Sequence, residues 1–385
     1  MKILITGGGT GGHITPLLAV ASEIKKLSPD SQITYVGTKS DISSHIVSEC
    51  PSIDKRYKIL AGKLRRYHGK SPMWYLAQPK IIFFNIRDAI YTFIGLLQSF
   101  KIMLFDKPDV VFVKGGFVGL PVGLMAALFK LPIITHDSDS HPGLTNRTLS
   151  RYASILAVGA PVDAYPQYKG KNLVYTGVPV RNSFYNAPSY LSAKTILDIN
   201  DDQRVISVIG GSSGASKLNE AILVLYEPLL TMYSDICLLW VTGKVQYGEI
   251  LNKVQKSIVN NRVKLWDFHT NPELIMSASD IVITRAGATA IAELALLAKP
   301  AIVVPNPLLT GGHQLKNAQI LQQRGAAFVV SDIDLQKTPD ILEEKLVTLL
   351  EKPKTAQQLA DNLAKLSVPN ASTEIAKLII GCVKA

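Results

Sequence analysis

The chain has 385 residues, a hydrophobic content of 47% and a formal net charge of +11. This length accommodates two domains with separate cores, and the glycine and proline content is that of a globular protein, which excludes a fibrous or disordered chain. The three cysteines are isolated, which excludes a disulfide framework, and no signal peptide precedes the first apolar segment, so we expect a cytoplasmic protein.

The positive charge is concentrated in the first half of the chain. Residues 1–181 contain 22 Lys and Arg against 11 Asp and Glu, whereas residues 182–385 contain 19 of each class. The densest basic stretch is 51–80, in which Asp54 is the one acidic residue. Such a stretch predicts a docking surface for an anionic partner. A nucleic acid is excluded as that partner by the neutral second half and by the lack of a nucleic-acid-binding motif.

The first predicted element is a buried strand over residues 2–6, which Gly7–His13 connects to a helix expected from near Pro16. Five of the six residues 7–12 are glycine. Consecutive glycines leave backbone N–H groups open at the positive end of the helix dipole and carry no Cβ to keep an anion away. The segment therefore predicts a binding site for phosphate or an oxyanion, with a tight turn that binds nothing as the alternative.

The same glycines also match the dinucleotide pattern G-x-G-x-x-G, through Gly7, Gly9 and Gly12. An NAD site of this kind needs an acidic residue at the end of the second strand to hold the ribose. The predicted second strand, 32–36, runs into Gly37-Thr38-Lys39 and has no acid at its tip. An NAD-binding oxidoreductase is therefore a distant alternative.

The basic stretch leads into an apolar helix predicted over residues 81–97. The longest uncharged run, Ala89–Phe100, has twelve residues, so we expect it to be too short to cross a bilayer. Cations and interfacial aromatic residues before the helix instead predict contact with an anionic membrane surface, the alternative being a basic loop before a core helix. These residues are Lys63, Arg65, Arg66, Tyr67, Met73, Trp74 and Tyr75.

The remaining pattern predicts two α/β domains. Strands at 108–113 and 131–135 are followed by a second glycine loop at 114–119 and by the polar residues 136–139. Residues 182–192 are irregular and are taken as the hinge, after which residues 204–215 repeat the order of strand, glycine loop and helix. We expect two doubly wound domains that face a central cleft, with the ligand between them.

The residues at the ends of the first-domain strands are candidates for chemistry. His13 directly follows the glycine loop, where an imidazole can act as a general base or hydrogen-bond donor, or can cap the helix. Asp137 and Asp139 can orient a hydroxyl group or accept its proton, or can cap the helix after Pro142.

The second half offers a matching set of candidates for a nucleotide. Residues 281–293 predict a strand, a turn of small residues and a helix, a pattern that lets a diphosphate approach the helix N-terminus beside Arg285. Glu293 suits the two hydroxyls of a ribose, or is a surface glutamate. Residues 305–318 place polar side chains where they can hold a sugar. No P-loop, nucleophile elbow or H-E-x-x-H motif is present, so we expect no protein-bound metal.

Eight segments together, in order and spacing, resemble the MurG family of peptidoglycan glycosyltransferases. They are Gly8–His13, Gly115–Val118, Pro142–Asn146, Gly177–Arg181, Gly210–Ala215, Arg285–Ala288, Glu293 and His313–Ala318. The resemblance covers nearly the whole chain. It implies a GT-B fold whose first domain comprises residues 1–181 and the C-terminal helix of about 366–385, and whose second domain comprises 182–365.

The resemblance also implies the reaction and its partners. The donor is UDP-N-acetylglucosamine and the acceptor is undecaprenyl-pyrophosphoryl-muramoyl-pentapeptide, with no cofactor, at the cytoplasmic face of the cell membrane. The muramoyl 4-hydroxyl, deprotonated by His13 or by a carboxylate such as Asp137, displaces UDP with inversion at the anomeric carbon. An enzyme of the same fold that glycosylates another membrane lipid is the alternative.

The binding residues implied by the resemblance fall into two groups. The acceptor group is Thr10, Gly11, Gly12, Gly116, Phe117, Asp139 and Asn146. The donor group is Arg181, Gly211, Ser212, Asn219, His269, Arg285, Ala288, Thr289, Glu293, His313 and Gln314. Three positions depart from the family pattern: Asp137 stands where a glutamate is common, and Ser213 and His313 replace glutamines. Because Asp137 is shorter than glutamate, we expect His13 to be the base.

Overall fold

The computed structural model describes residues 1–8, 11–38, 47–65, 78–210, 215–259, 261–307, 312–338 and 340–384. For residues 11–13, 255–259 and 384 it describes the backbone only. The chain divides into two compact domains. The first comprises Met1–Arg181, Leu308–His313 and Val368–Ala385, and the second comprises Asn182–Pro307 and Gln314–Ser367.

The first domain is built on a parallel sheet of seven strands in the order β3-β2-β1-β4-β5-β6-β7. The two central strands are almost wholly buried because helices cover both faces, and this explains their uninterrupted apolar sequences. The order reverses between β1 and β4, the switch point at which ligands bind beyond the carboxyl ends of parallel strands. The strands are β1 Lys2–Thr6, β2 Gln32–Thr38, β3 Lys55–Ile59, β4 Val110–Val113, β5 Ile133–Asp137, β6 Ile155–Val158 and β7 Leu173–Tyr175.

The second domain repeats this architecture with six parallel strands in the order β10-β9-β8-β11-β12-β13. Its switch point lies between β8 and β11, which pair from Ile281 with Ile206 to Thr284 with Ile209. The strands are β8 Arg204–Ile209, β9 Ile236–Val241, β10 Val263–Trp266, β11 Ile281–Thr284, β12 Ala301–Val303 and β13 Phe328–Val329. The prediction of two doubly wound α/β domains is confirmed.

Helices cover the faces of both sheets, and in residues 1–181 they are α1 Gly11–Leu27, α2 Pro79–Asp106, α3 Gly116–Leu128 and α4 Leu144–Leu149. The next helices are α5 Asn182–Tyr185, α6 Tyr190–Ile196, α7 Ser216–Met232, α8 Tyr247–Val259, α9 Pro272–Ala278 and α10 Ala288–Leu297. The last are α11 His313–Gln323, α12 Asp332–Lys337, α13 Ile341–Glu351, α14 Pro353–Ala364 and α15 Ala371–Lys384.

Helix α1 begins at Gly11, five residues before the expected start near Pro16. The prediction was wrong because it took glycines as loop and proline as a boundary. Pro16 lies inside α1, at its sixth residue, where it removes one backbone hydrogen bond but does not end the helix. The early start places His13 in the first turn of α1, directly after the glycine loop.

Helix α15 completes the core of the first domain from the far end of the chain. It packs against α1, and Ile375, Ala376 and Ile379 are fully buried with the side chains of Ile14 and Leu17. The exposed face of α15 carries charged residues such as Lys377 and Glu374, which pair at 2.8 Å. Its amphipathic sequence therefore stabilises the first domain.

Helix α2 is longer than the sequence pattern indicated. Its 28 residues span about 42 Å at 1.5 Å per residue. By length and composition it is able to cross a membrane, and it is the one such helix among the residues the structure describes, with 11% of its most apolar 18-residue window buried. The expectation of a run too short to span was wrong, because Arg87, Asp88 and Lys101 do not interrupt the helix.

One face of α2 packs on the domain and the opposite face is exposed. The buried residues, which include Gly95, Ser99 and Ile102, lie toward α3. The exposed face carries large apolar side chains spaced alternately by three and four residues, which places them in one stripe along the helix. This apolar stripe consists of Phe83, Ile86, Ile90, Phe93, Leu97, Phe100 and Leu104.

Candidate active site

Two glycine loops meet at the switch point of the first sheet. Gly115 and Gly116 follow β4 with φ values of +103° and +78°, in the region that favours glycine. A Cβ on Gly116 would lie 2.3 Å from the carbonyl oxygen of Gly8, so only glycine permits this approach. Helices α1 and α3 begin at Gly11 and Gly116, so two helix N-termini lie at neighbouring strand ends. This arrangement is suited to an anion, as the sequence predicted.

The carboxylate of Asp137, at the end of β5, is buried and has three hydrogen-bond donors. Its Oδ1 accepts hydrogen bonds from Asn146 Nδ2 at 2.9 Å and from the backbone N–H of Gly143 at 3.3 Å. Its Oδ2 accepts a hydrogen bond from the Tyr168 hydroxyl at 3.1 Å. Burial raises the pKa of Asp137 to about 6. Because both oxygens already bind protein donors, these contacts favour a residue that positions the loop.

Two other predicted acceptor residues, Asn146 and Asp139, lie beside this carboxylate in sequence or by contact. Asn146 is 2% exposed, and its Nδ2 also donates to the carbonyl of His136 at 2.9 Å. Phe117 is half-buried in the first turn of α3. The backbone carbonyl of Asp139 accepts a hydrogen bond from the Tyr165 hydroxyl at 2.9 Å. The structure therefore brings Asn146 and Asp139 together with Asp137 in one loop cluster, while Phe117 packs against the hydrophobic core.

Lys114 is a residue of this cluster that the sequence analysis did not select. It follows the last residue of β4 and is 1% exposed, and its Nζ donates a hydrogen bond to Ser138 Oγ at 2.7 Å. Burial lowers its pKa to about 8. The sequence signal was a lysine directly after four apolar strand residues, a position where a charge is seldom buried without a partner.

In the second domain, Arg285 forms an ion pair instead of lying open at the strand end. Its Nη1 lies 2.5 Å from Asp332 Oδ1 and donates to the carbonyl of Val304 at 3.1 Å. Both partners are about nine-tenths buried. We therefore interpret Arg285 as a residue that joins β11 to the N-terminus of α12, and its contact with the diphosphate stays a prediction.

The side chain of Asn219 also forms hydrogen bonds within the protein. It is fully buried, and its Nδ2 donates to the carbonyl of Thr242 and to Gln246 Oε1, both at 2.8 Å. Its Oδ1 accepts a hydrogen bond from Trp240 Nε1 at 3.0 Å. These bonds fix the chain at the end of β9, so we interpret Asn219 as a positioning residue.

The remaining donor candidates lie around the N-terminal ends of α10 and α11. Ala288 and Thr289 open α10, and Glu293 is 8% exposed one turn further on. Gln314 in α11 accepts a hydrogen bond from the backbone N–H of Asn306 at 2.9 Å. His313 is the first residue of the same helix. These residues share the carboxyl edge of the second sheet.

His269 lies beyond β10, at the same edge of the second sheet. Its ring packs edge-on against Trp266 with centroids 5.1 Å apart, and its Nδ1 accepts a hydrogen bond from the backbone N–H of Asn271 at 3.2 Å. Burial lowers the pKa of His269. Phe268 beside it is about half exposed, so the segment offers an aromatic surface.

Some predicted residues are not placed by the structure. Thr10, Gly211 and Ser212 lie outside the described residues, as do the basic and aromatic positions 66–77. Gly11, Gly12 and His13 are described through their backbone in α1. Arg181 is half-buried at the end of the first domain. Within the described ranges, no group of three or more His, Cys, Asp or Glu side chains is arranged to hold a metal ion.

Comparison with known protein families assigns both domains to one glycosyltransferase family. Residues 3–158 match the model of the glycosyltransferase family 28 N-terminal domain, and residues 205–375 match that of the C-terminal domain. The crystal structure of Acinetobacter baumannii MurG has the same fold, with a TM-score of 0.71, 23% identity and coverage of 99% of both chains.

Curated relatives give a narrower family. A protein of Acetivibrio thermocellus is 32% identical over 98% of this chain and 97% of its own, and one of Natranaerobius thermophilus is 33% identical over 98% and 99%. Both are named UDP-N-acetylglucosamine–N-acetylmuramyl-(pentapeptide) pyrophosphoryl-undecaprenol N-acetylglucosamine transferase. The chain therefore belongs to glycosyltransferase family 28 and, within it, to the family of these transferases.

If Arg285 serves mainly to pair with Asp332, replacing it should lower the free energy of unfolding of the second domain rather than weaken the binding of UDP. In the Arg285→Met variant, Asp332 remains buried without its cation, which typically costs about 3–5 kcal/mol. We expect denaturant unfolding of the second domain to show a loss of this size. Lys217→Ala, which removes an exposed pair with Glu220, is the control and should cost at most about 1 kcal/mol. Unchanged unfolding together with weakened binding of UDP would show that Arg285 contacts the donor instead.

Proposed function

We propose that this protein transfers N-acetylglucosamine from UDP-N-acetylglucosamine to the muramoyl 4-hydroxyl of undecaprenyl-pyrophosphoryl-muramoyl-pentapeptide. The observation that carries the proposal is the full-length identity with relatives whose name states this transfer. Membership of a glycosyltransferase family removes the oxidoreductase alternative, which rested on one glycine pattern. A different lipid acceptor remains the second candidate, because glycine loops that bind the pyrophosphate do not distinguish one acceptor sugar from another.

We propose that the first domain holds the acceptor and the second holds the nucleotide sugar. The glycine loops of the first domain, backed by two helix N-termini, suit the acceptor pyrophosphate. In the second domain, α10 begins after Gly287 with two small residues, so a diphosphate can approach its N-terminus closely. Glu293, almost buried on the same helix, is then the residue for the ribose hydroxyls.

The chemistry we propose is one displacement at the anomeric carbon. His13, in the first turn of α1, accepts the proton of the 4-hydroxyl as that oxygen attacks. The bond to UDP breaks on the opposite face, so the α-linked sugar of the donor becomes a β-linked product. The negative charge that develops on the leaving diphosphate is stabilised by the backbone N–H groups at the start of α10. Asp137 fixes the loop beside the acceptor rather than taking the proton, since its oxygens accept three hydrogen bonds.

The proposal predicts which sugar and which lipid react. Purified protein is incubated with radiolabelled UDP-N-acetylglucosamine, UDP-glucose or UDP-galactose and with a muramoyl-pentapeptide pyrophosphoryl polyprenol, with and without EDTA. We expect transfer of N-acetylglucosamine at least about tenfold above the other sugars, because a site built for the acetamido group loses hydrogen bonds with its analogues. EDTA should leave the rate within twofold.

Two controls make this experiment decisive. The His13→Ala variant should bind UDP as the wild type does and lose about 10²-fold or more in turnover, because a general base is removed. Membrane lipids without the muramoyl acceptor form the second control. Transfer to those lipids alone would support the alternative glycolipid reaction and contradict our proposal.

We also propose that the protein binds the cytoplasmic face of the membrane peripherally, through the apolar stripe of α2. Exposed apolar surface of this length is unusual on a soluble domain and marks an interaction site. Phe93 and Ile90, in the middle of the stripe, are 62% and 55% exposed. Because the opposite face of α2 packs on the domain, the helix is suited to lie along an interface rather than to span it.

The charges around the stripe fit an anionic surface. Both acidic residues of α2 are buried and paired: Asp88 lies 2.6 Å from Arg65, and Asp106 lies 3.1 Å from Lys55. The exposed charged residues of the helix include the cations Lys80 and Lys101. Arg65, expected to contact lipid headgroups, instead pairs with Asp88 and stacks on Phe84 at 4.7 Å. It therefore connects the basic segment to the helix.

A sedimentation experiment tests the membrane proposal. Phe93→Lys should weaken binding to vesicles of phosphatidylglycerol and phosphatidylcholine at least about tenfold, because burying a phenylalanine contributes ~2 kcal/mol. Val224→Lys places the same charge on an exposed apolar position of the second domain and is the matched control. Unchanged binding of Phe93→Lys to the vesicles contradicts the proposal. A lipid-independent dimer that this substitution dissociates would assign the stripe to a second copy of the chain.

A further inference from the structure

A buried lysine links the loops at the carboxyl edge of the first sheet. The Cβ of Lys114 lies 3.1 Å from the position that a Cβ on Gly7 would occupy, so the side chain packs beneath the first glycine loop. Its Nζ then reaches Ser138, in the loop after β5, at 2.7 Å. The residue after Lys114 begins the second glycine loop. One side chain thus contacts or adjoins all three loops of the proposed acceptor site.

The ammonium group interacts with two carboxylates, one at the end of β5 and one in the loop after it. Asp137 and Asp139, on either side of Ser138, both interact electrostatically with Lys114. An acceptor that carries a pyrophosphate would add further negative charge at this edge. A site with two carboxylates and a bound pyrophosphate requires cations close by, because unpaired buried charge is costly. Lys114 supplies one of them within the protein.

Other ionisable groups face Asp137 from several elements, and together they define its surroundings. Lys114 follows the end of β4, Tyr168 ends the 3-10 helix Pro166–Tyr168 and Tyr165 directly precedes that helix. Asp139, in the loop after β5, acts on Lys114 and Tyr165. Arg147 on α4 acts on one of these tyrosines. Burial and the nearby carboxylates raise the pKa of both tyrosines above the ordinary phenol range, so they remain neutral donors. Among the charged groups that face Asp137 here, Lys114 is the cation.

We propose that Lys114 is a positioning residue for the acceptor: its buried ammonium group supplies the counter-charge of Asp137 and Asp139 and, through Ser138, fixes the loop between β5 and α4. The inference rests on the proposed function of this edge as the acceptor site. It assigns no proton transfer to Lys114, whose contacts are with the loop. Ionised Asp137 in turn holds Asn146 and the N–H of Gly143, so the lysine acts on substrate through the loop.

This arrangement predicts how activity depends on pH. Burial raises the pKa of Asp137 to about 6 and lowers that of Lys114 to about 8, while each group partly offsets the shift of the other. Both groups are charged between these two values, so the loop is held there. When the ammonium group is removed, burial still raises the pKa of Asp137 but the charge of Lys114 no longer lowers it. The pKa of Asp137 therefore rises further. The acidic limb of the rate profile then moves to higher pH.

The test is a double-mutant cycle on the pH profile of kcat/KM for the acceptor. Lys114→Met, of similar length but neutral, should lower the rate near pH 7 about tenfold and move the acidic midpoint up by about one unit. In the Asp137→Asn background the same substitution should cause no shift. The KM for UDP-N-acetylglucosamine should stay within twofold in every variant. Lys2→Met, an exposed lysine at the opposite edge of the same sheet, should leave the profile unchanged.

The cycle separates positioning from other roles of Lys114. An equal shift in both backgrounds would mean that the lysine acts on another group, such as His13, and would overturn the proposal. A uniform loss of rate without a shift would indicate a packing role only and would overturn it as well. If Lys114→Met does not fold, the single variant Asp137→Asn still tests the proposal. The alkaline midpoint of the rate profile reflects the pKa of Lys114, and loss of the carboxylate must move it down from about 8.

A second measurement needs no substrate and separates this proposal from the proposed function. A buried carboxyl whose pKa is raised from 3.8 to about 6 contributes stability at low pH that is lost as the pH rises through this window. Thermal unfolding should show this loss in the wild type, a larger loss extending to higher pH in Lys114→Met, and none in Asp137→Asn. Equal pH dependence in all three proteins contradicts the pairing, whereas a wild type without transfer activity contradicts the proposed function.

Discussion

The close approach of two glycine loops is the constraint on which the proposed acceptor site depends. Gly116 has a positive φ, and its Cα packs against the carbonyl oxygen of Gly8. A Cβ at this position would lie 2.3 Å from that oxygen. This contact sets the starts of α1 and α3 side by side at the switch point of the sheet. The helix N-termini that result suit a pyrophosphate, and the polar groups beneath them have to support that charge.

The groups beneath the loops form a buried network of hydrogen bonds. Asp137 accepts three hydrogen bonds, Asn146 bridges it to the backbone of β5, and Lys114 reaches the intervening loop from β4. Thr145 adds a bond from its hydroxyl to the carbonyl of Gly116 at 2.8 Å. Such networks hold one conformation best when every member has its partner, and here the Oδ1 of Asn146 is buried without one among the described residues. A fixed loop is valuable here, because the position of the acceptor hydroxyl decides the rate of a direct displacement.

The first domain also carries the surface that we assign to the membrane. The basic excess of the chain lies in residues 1–181, and both acidic residues of α2 are withdrawn into ion pairs. The apolar stripe therefore lies on a helix whose acidic side chains are neutralised by neighbours. A lipid-linked acceptor is confined to the membrane surface, so a domain that binds the lipid carrier gains from lying on that surface as well.

The sequence predicts the parts of this structure that depend on local pattern. The strands follow from short apolar runs rich in Val and Ile, and the ligand-binding edges follow from glycines and polar residues directly after them. Long-range pairing was missed: Asp332, the partner of Arg285, is 47 residues further along the chain. Lys114 was overlooked because its role depends on the loop after β5. The length of α2 was underestimated because the charged residues Arg87, Asp88 and Lys101 were expected to interrupt the apolar segment, and they lie within one continuous helix.

The configuration of the product tests the account most directly. The disaccharide formed from UDP-N-acetylglucosamine and the muramoyl acceptor is released from the lipid, and its anomeric proton coupling and linkage are measured by NMR. A β-linked N-acetylglucosamine on the muramoyl 4-oxygen is the result expected from one displacement with a base on the acceptor side. An α-linked product would contradict the single displacement, and a sugar attached at another position would contradict the 4-hydroxyl as the attacking group.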